Sequence, residues 1–344
     1  MLGGRTLLKW WRAPFWLLAL GTGAKSFADN PFLGSRTLNR RGLHAARLKL
    51  AHRLAAARRR RLAGAVPADW RDQFDRNGFV EVRDFLPAES FARLQRDLLG
   101  TAFESRQHQQ GDTVTRRIAV GAGLAAAFPE LSALLGNRPW RALLAYVAST
   151  RAEPLHYIQT IVTGLPSDHP DPQLNLHSDT FHPSLKAWLF LTDVTDDEGP
   201  LTYVAGSHRL TAERLAWERA RSIDIARHDR LSQRGSLRIS GDELPGMGLP
   251  QPTRFAVPAN TLVVIDTSGF HARGSSTRQT VRVELWSYAR RNPFLPFSGL
   301  DLFALPALAS LRADWQYWIV DQLDRLGIAK QQWHPAGRKR PDEP

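Results

Sequence analysis

Asn175-Leu176-His177-Ser178-Asp179 is the stretch from which the rest of this sequence can be organised. In extended backbone, residues i and i+2 project to the same side, so His177 and Asp179 can reach one ion. A third ligand must come from elsewhere. His271 is the best placed, because it follows the apolar run Leu262-Val263-Val264-Ile265-Asp266 and the turn Ser268-Gly269. Two imidazoles and one carboxylate on one face of a metal leave three positions free, the donor set of non-heme iron(II) sites. On its own, H-x-D is weak, since a histidine beside an aspartate in a surface turn is commoner than a ligand pair.

The surroundings strengthen it. The chain contains no cysteine, so disulfides, thiolate metal sites and cysteine nucleophiles are excluded, and any metal must sit on imidazole and carboxylate. Beyond residue 154 short β-like runs follow one another: Leu155 to Val162, Leu185 to Val194, Thr202 to Val204, Arg254 to Val257, Thr261 to Ile265 and Thr280 to Tyr288. Short strands separated by Gly, Pro and Asp turns indicate a sandwich or barrel rather than a parallel α/β sheet. In the last run, Val281, Val283 and Leu285 alternate with Arg282, Glu284 and Trp286, so the polar members share a face. An arginine inside an apolar strand is rarely buried without an anionic partner, and its planar fork suits a carboxylate. That reading requires the polar face to be the interior. Arg278 is the fallback anchor if Arg282 points outward.

Upstream, Asp69 to Arg76 reads as a helix ended by Asn77-Gly78, Phe79 to Val82 as a strand and Pro87 to Leu99 as a second helix. Residues 128–149 suggest two more. Residues 209–250 interrupt the strands with a charged helical insertion, residues 302–327 read as a final helix or helix pair, and the tail after His334 reads as polar and loose.

These motifs together resemble the phytanoyl-CoA dioxygenase family over roughly residues 68–290. Phe74 to Val80 is similar to the family's helix–Gly–strand opening. His177-Ser178-Asp179 matches its H-x-D. Asp196-Asp197-Glu198-Gly199-Pro200-Leu201 and Gly206-Ser207-His208 resemble its acidic turn and G-S-H signature, and Gly269-Phe270-His271 followed by Arg282 matches its distal histidine and arginine. Ala205 departs from the proline usual before G-S-H, and Thr180-Phe181-His182 follows no family pattern; both bear on the substrate more than on the metal. The resemblance implies a mainly β fold with flanking helices, a double-stranded β-helix (a cupin-like jelly roll), here with an N-terminal helical extension. It also implies Fe(II) on His177, Asp179 and His271, with 2-oxoglutarate as co-substrate and Arg282 on its distal carboxylate. O2 would be consumed, a substrate hydroxylated, and succinate and CO2 released. The carboxylate of Asp179 argues against halogenation, which needs that position for halide.

Neighbouring residues are weaker candidates. Trp188 and Lys186 alternate on the strand after the metal pair, and Gln159 lies on the strand before it; each could line the co-substrate pocket, though core packing suits Trp188 equally. His182 competes as a ligand on spacing alone. His208 reads as part of a structural turn, and His156 and His169 as ordinary. The rival reading is a redox-silent cupin, a zinc or nickel isomerase or sensor, which would have no use for Arg282.

The formal charge of +13 is a local property. Residues 1–66 hold 14 Lys/Arg against one acid, Asp29, and residues 67–344 balance at zero, so no nucleic-acid partner is implied. Trp10, Trp11 and the short apolar run Ala13 to Gly21 precede a helix read over Leu38 to Leu62, with Leu43, Ala46, Leu50, Leu54 and Ala57 on one stripe. Such a segment suits either an anionic membrane surface or docking on the body. A targeting segment is a third reading. The resulting expectation is a cytoplasmic enzyme, peripheral to a membrane through residues 1–62, acting on a small-molecule or lipid-linked substrate. The organisation expected is an extension over 1–66, an oxygenase domain over 67–300 and a C-terminal helix and tail over 301–344.

Overall fold

The computed structural model describes residues 11–299 and 312–344. Its strands are β1 (Phe79–Val82), β2 (Phe103–Gln110), β3 (Thr113–Ala119), β4 (Leu155–Thr163), β5 (Leu185–Phe190) and β6 (Leu201–Tyr203). They continue as β7 (Thr253–Arg254), β8 (Leu262–Asp266), β9 (His271–Arg273), β10 (Thr280–Ala289) and β11 (His334–Lys339). Eight of them form one antiparallel sheet in the order β1-β8-β5-β10-β4-β3-β2-β11, and β7-β6-β9 form a smaller one. This is a double-stranded β-helix with flanking helices.

Alternation along the strands sorts two cores. Leu185, Ala187, Leu189, Leu262, Val264, Val283 and Leu285 face the helices, where they meet Leu94, Leu98, Leu143 and Val147. Their neighbours Trp188, Phe190, Val263, Ile265 and Trp286 point the other way, against Leu201, Tyr203 and Phe255 of the smaller sheet side. Arg282 and Glu284 share the parity of Trp286 and are therefore inside, both buried.

Helices Ala68–Asn77 and Ala88–Leu99 stand where the sequence places them, and Gly78 closes the first in a left-handed conformation at φ 82°. Helices Pro129–Gly136 and Arg138–Ala148 fill the next stretch. Three expectations are corrected. The long N-terminal helix is broken at Gly42 (φ 96°) into Arg36–Arg40 and Leu43–Leu62. Its buried stripe is His44, Arg47, Leu48, Ala51, Ala55, Arg58 and Leu62, not the stripe through Ala46 and Leu50, which are exposed. Two arginines take core-facing positions because they satisfy loop carbonyls. Arg47 donates to Leu20 at 3.0 Å, Thr22 at 2.9 Å and Ala24 at 2.8 Å, and Arg58 to the carbonyls of Ser149 at 2.9 Å and Leu295 at 2.8 Å. This helix is docked on the body rather than laid out for a membrane. Finally, the tail is not loose: β11 pairs with β2 at the edge of the large sheet, and Arg116 donates to the carbonyl of Glu343 at 2.7 Å. Of the C-terminal helices, Arg312–Arg325 is present, and residues 302–311 lie outside the described residues.

Candidate metal centre

His177 and His271 form an antiparallel two-residue bridge, each amide donating to the other's carbonyl, at 3.0 and 2.9 Å. The bridge sets their rings 4.6 Å apart. Asp179, two residues on, is fixed by its amide to the carbonyl of Thr267 at 2.9 Å. The insertion closes the other side, with Ser178 donating to Leu237 and Ile239 to Leu176, both at 3.0 Å.

The donor atoms of His177, Asp179 and His271 lie within 4.8 Å of one another. Each histidine spends Nδ1 on a carbonyl two residues back, His177 on Asn175 at 2.8 Å and His271 on Gly269 at 3.0 Å. A carbonyl only accepts, so both rings carry the proton on Nδ1 and turn the Nε2 lone pair inward. Nε2 of His177 and of His271 stand 3.6 and 3.7 Å from Asp179 Oδ1. Two ligands each about 2.1 Å from one ion can be up to roughly 4 Å apart, so the set spans a single small divalent cation. Buried His271 Nε2 has no hydrogen-bond partner, as a ligand atom awaiting metal requires. Burial lowers the His177 pKa to about 4, which keeps it neutral. Burial pushes Asp179 up, but Lys186 and the two histidines outweigh it and hold the carboxyl well below its usual range.

His177 and His271 line a cavity of about 170 Å³ together with Lys186, Trp188, Gln159, Arg117, Arg282 and Glu284. Trp188 belongs both to this wall and to the inner core. Arg282 is seated by the acidic turn: its Nη1 donates to the carbonyl of Gly199 and, at 3.4 Å, to that of Glu198. Gly199 has φ 67°, and a Cβ there would stand 2.7 Å from the Gly274 carbonyl. In the G-S-H turn, Ser207 Oγ accepts from the Phe270 amide at 2.8 Å. His208 packs against Phe74 and is structural.

Other candidates lie elsewhere. Arg278 is exposed and tied to Asp197 at 2.7 Å and Glu198 at 2.6 Å, so it cannot serve as the fallback anchor. His182 is fully buried against the Pro183 carbonyl and Arg290, outside the cluster. His156 binds Ser287 at 2.7 Å, and His169 is exposed.

Sequence reasoning missed Arg117. It lies on β3, stacked over Trp286 at 3.9 Å and Trp333 at 4.4 Å, and donates through Nε to Gln159 at 2.7 Å. Gln159 in turn donates to Glu284 at 2.7 Å. Burial lowers the Arg117 pKa to about 10 and raises that of Glu284, disfavouring the charged form of each. The turn Gly111-Asp112 before Thr113-Val114-Thr115 is the hairpin signal that could have revealed it.

No curated protein matches the chain. Among solved structures it is similar to the epimerase SnoN in complex with Fe3+, alpha ketoglutarate and nogalamycin RO, at 21% identity and TM-score 0.42 over 68% of this chain and 91% of that one. It is similar to the carbocyclase SnoK from nogalamycin biosynthesis at 18% identity and TM-score 0.41, over 66% and 84%. HygX from Streptomyces hygroscopicus, with nickel and 2-oxoglutarate bound, gives 17% identity and TM-score 0.43 over 65% and 87%. Residues 74–239 match the family model described as phytanoyl-CoA dioxygenase (PhyH). That match runs unbroken from the helix before β1, through the H-x-D pair, into the insertion, and over these residues the chain is similar to the phytanoyl-CoA dioxygenase family.

Proposed function

We propose that this protein is an iron(II)- and 2-oxoglutarate-dependent dioxygenase that hydroxylates a small organic substrate, with His177, Asp179 and His271 as the metal ligands. The observation that carries the reading is the convergence of two inward Nε2 atoms and one carboxylate oxygen, with both histidines lining a cavity that also holds a buried arginine. When bound, iron(II) and 2-oxoglutarate supply the oxidation, one atom of O2 going to succinate and one to substrate as CO2 leaves.

The residues of the chain do the orienting. The Nδ1–H bonds to Asn175 and Gly269 prevent either ring from rotating its lone pair away. Arg282, held in the barrel by the Gly199 carbonyl, offers its remaining guanidinium N–H groups to the distal carboxylate of the co-substrate. Gln159 orients Arg117 and Glu284, and Trp188 closes the wall against water. Anaerobic titration with iron(II) and 2-oxoglutarate tests this. A weak visible charge-transfer band supports the pair, and its absence at saturating iron sinks the assignment.

The substrate side of the proposal is a lipid or lipid-linked molecule met at a membrane surface. Its support is now confined to Trp11, 66% exposed, and the following helix Ala13–Leu20, which buries no residue and leaves Phe15 65%, Leu17 52% and Leu18 71% exposed. No helix among the described residues is long and apolar enough to cross a membrane. Sedimentation with anionic vesicles, comparing wild type with Phe15→Glu/Leu18→Glu, decides it: equal partitioning of the two ends the membrane proposal.

A further inference from the structure

The two oxygens of Asp179 are differently engaged. Oδ1 faces both histidine Nε2 atoms, at 3.6 and 3.7 Å, while Oδ2 lies 2.7 Å from Nζ of Lys186. Lys186 is on β5 with the same parity as Trp188 and Phe190, so its side chain enters the barrel interior, where it lines the cavity beside His177 and Trp188. An ammonium there carries a desolvation cost and is kept only with a strong partner. Among the described residues Asp179 is the acid that partners it.

A metal-bound carboxylate with both oxygens free can grip the ion through both, occupying two adjacent coordination positions. Two imidazoles and a single carboxylate oxygen leave three positions of an octahedral ion open; a chelating carboxylate leaves two. Two are enough for a chelating co-substrate alone, and none then remains for a further ligand such as O2.

We propose that Lys186 is a positioning residue that keeps Asp179 monodentate, and so preserves the third open position on the metal. The inference rests on the metal assignment above and is independent of which co-substrate binds. Lys186 touches neither metal nor substrate in this role; it acts through Oδ2 alone.

The test uses the full chain loaded with Mn(II), whose water-proton relaxation reports the number of exchangeable waters on the ion. Wild type should hold three waters, the number of open positions. Lys186→Met, which cannot donate to Oδ2, should still bind Mn(II) but show a relaxation enhancement lower by about a third, as one position is lost to chelation. Lys186→Gln and Lys186→Arg, which can each still donate, should return the wild-type value. Infrared difference spectra of the Zn(II)-loaded and metal-free proteins, with aspartate carboxylates isotope-labelled, give a second reading. The splitting between the two carboxylate stretches should narrow in Lys186→Met only.

A relaxation enhancement and a splitting unchanged in Lys186→Met overturn the proposal. So does loss of Mn(II) binding in that variant, which would make Lys186 structural, or failure of both Gln and Arg to restore it. If wild type binds no divalent ion, the metal assignment falls and this inference with it. If wild type holds three waters yet gives no iron–2-oxoglutarate band, only the oxygenase reading fails.

Discussion

Arg117 on β3 and Gln159 on β4 are paired across the sheet, and the guanidinium Nε donates to the amide oxygen at 2.7 Å inside the barrel. Because Gln159 also donates to Glu284 at 2.7 Å, one amide orients a cation and an acid that belong to different strands. Gln159→Leu removes both bonds and leaves the buried Glu284 and the half-buried Arg117 Nε without this partner. The expected loss of stability is about 1–3 kcal/mol per stranded group, measured as a lower urea midpoint. An unchanged midpoint would mean that solvent reaches this end of the cavity.

Arg282 makes a separate prediction. Its Nη1 is committed to a backbone carbonyl, so the rest of the guanidinium is what the co-substrate can use. Arg282→Ala should weaken 2-oxoglutarate binding by about 2–3 kcal/mol, the scale of a charge-assisted hydrogen bond. Nickel binding should stay within about twofold, since Arg282 is outside the ligand set. Calorimetry on the nickel-loaded protein separates the two. Equal affinity for 2-oxoglutarate in both proteins removes Arg282 from the site.

Acid should destabilise the metal-free protein well above the carboxylate range. Burial lowers four histidines, His52 and His177 to about 4 and His182 and His208 to about 3. The unfolded chain takes up these protons near pH 6.5, while the folded chain refuses them until about pH 4 or below. Their contribution is thus complete above pH 7 and is lost as pH falls from about 6.5 toward 4. Each costs up to about 1.4 kcal/mol per pH unit within that window. Urea unfolding at pH 7.5 and pH 5 measures it, and matching midpoints would contradict the buried neutral imidazoles.

The basic N-terminal helix should behave as part of the core. Arg58 is 1% exposed and caps carbonyls of Ser149, Pro293 and Leu295. Arg58→Ala leaves these acceptors without a donor and opens a cavity, so a loss of about 3 kcal/mol or more is expected. Arg60→Ala, on the exposed side of the same helix, should cost under about 0.5 kcal/mol. Comparing their melting temperatures checks the contrast, and equal values would put Arg58 on the surface.

The parts of this molecule that could be read from residues alone are those where one chemical pattern has one structural use. His177 and Asp179 had to share a side, and the alternation around Arg282 had to divide between two faces. What escaped reading followed a different logic. The strands Phe103–Gln110 and Thr113–Ala119 carry mostly polar residues, because their inner positions line a polar cavity rather than an apolar core, so apolar alternation is absent. Arg117 was hidden with them. The stripe of the Leu43–Leu62 helix was misassigned because Arg47 and Arg58 point inward, where only the distant carbonyls they serve explain them. The terminal strand depends on an edge 220 or more positions upstream, which no local pattern records.

Lys25, 154 positions before Asp179, reaches the carbonyl oxygen of that residue with its ammonium at 2.5 Å. The loop around it is stitched to the insertion, where Phe27 and Ala28 both donate to the Gln233 carbonyl. A protease trimming this chain would therefore meet two regimes. Cuts before the exposed aromatic helix would leave this contact in place, whereas a cut past residue 25 would remove the support behind Asp179. Maturation by clipping, if a cell practises it on this protein, has to stop short of that lysine.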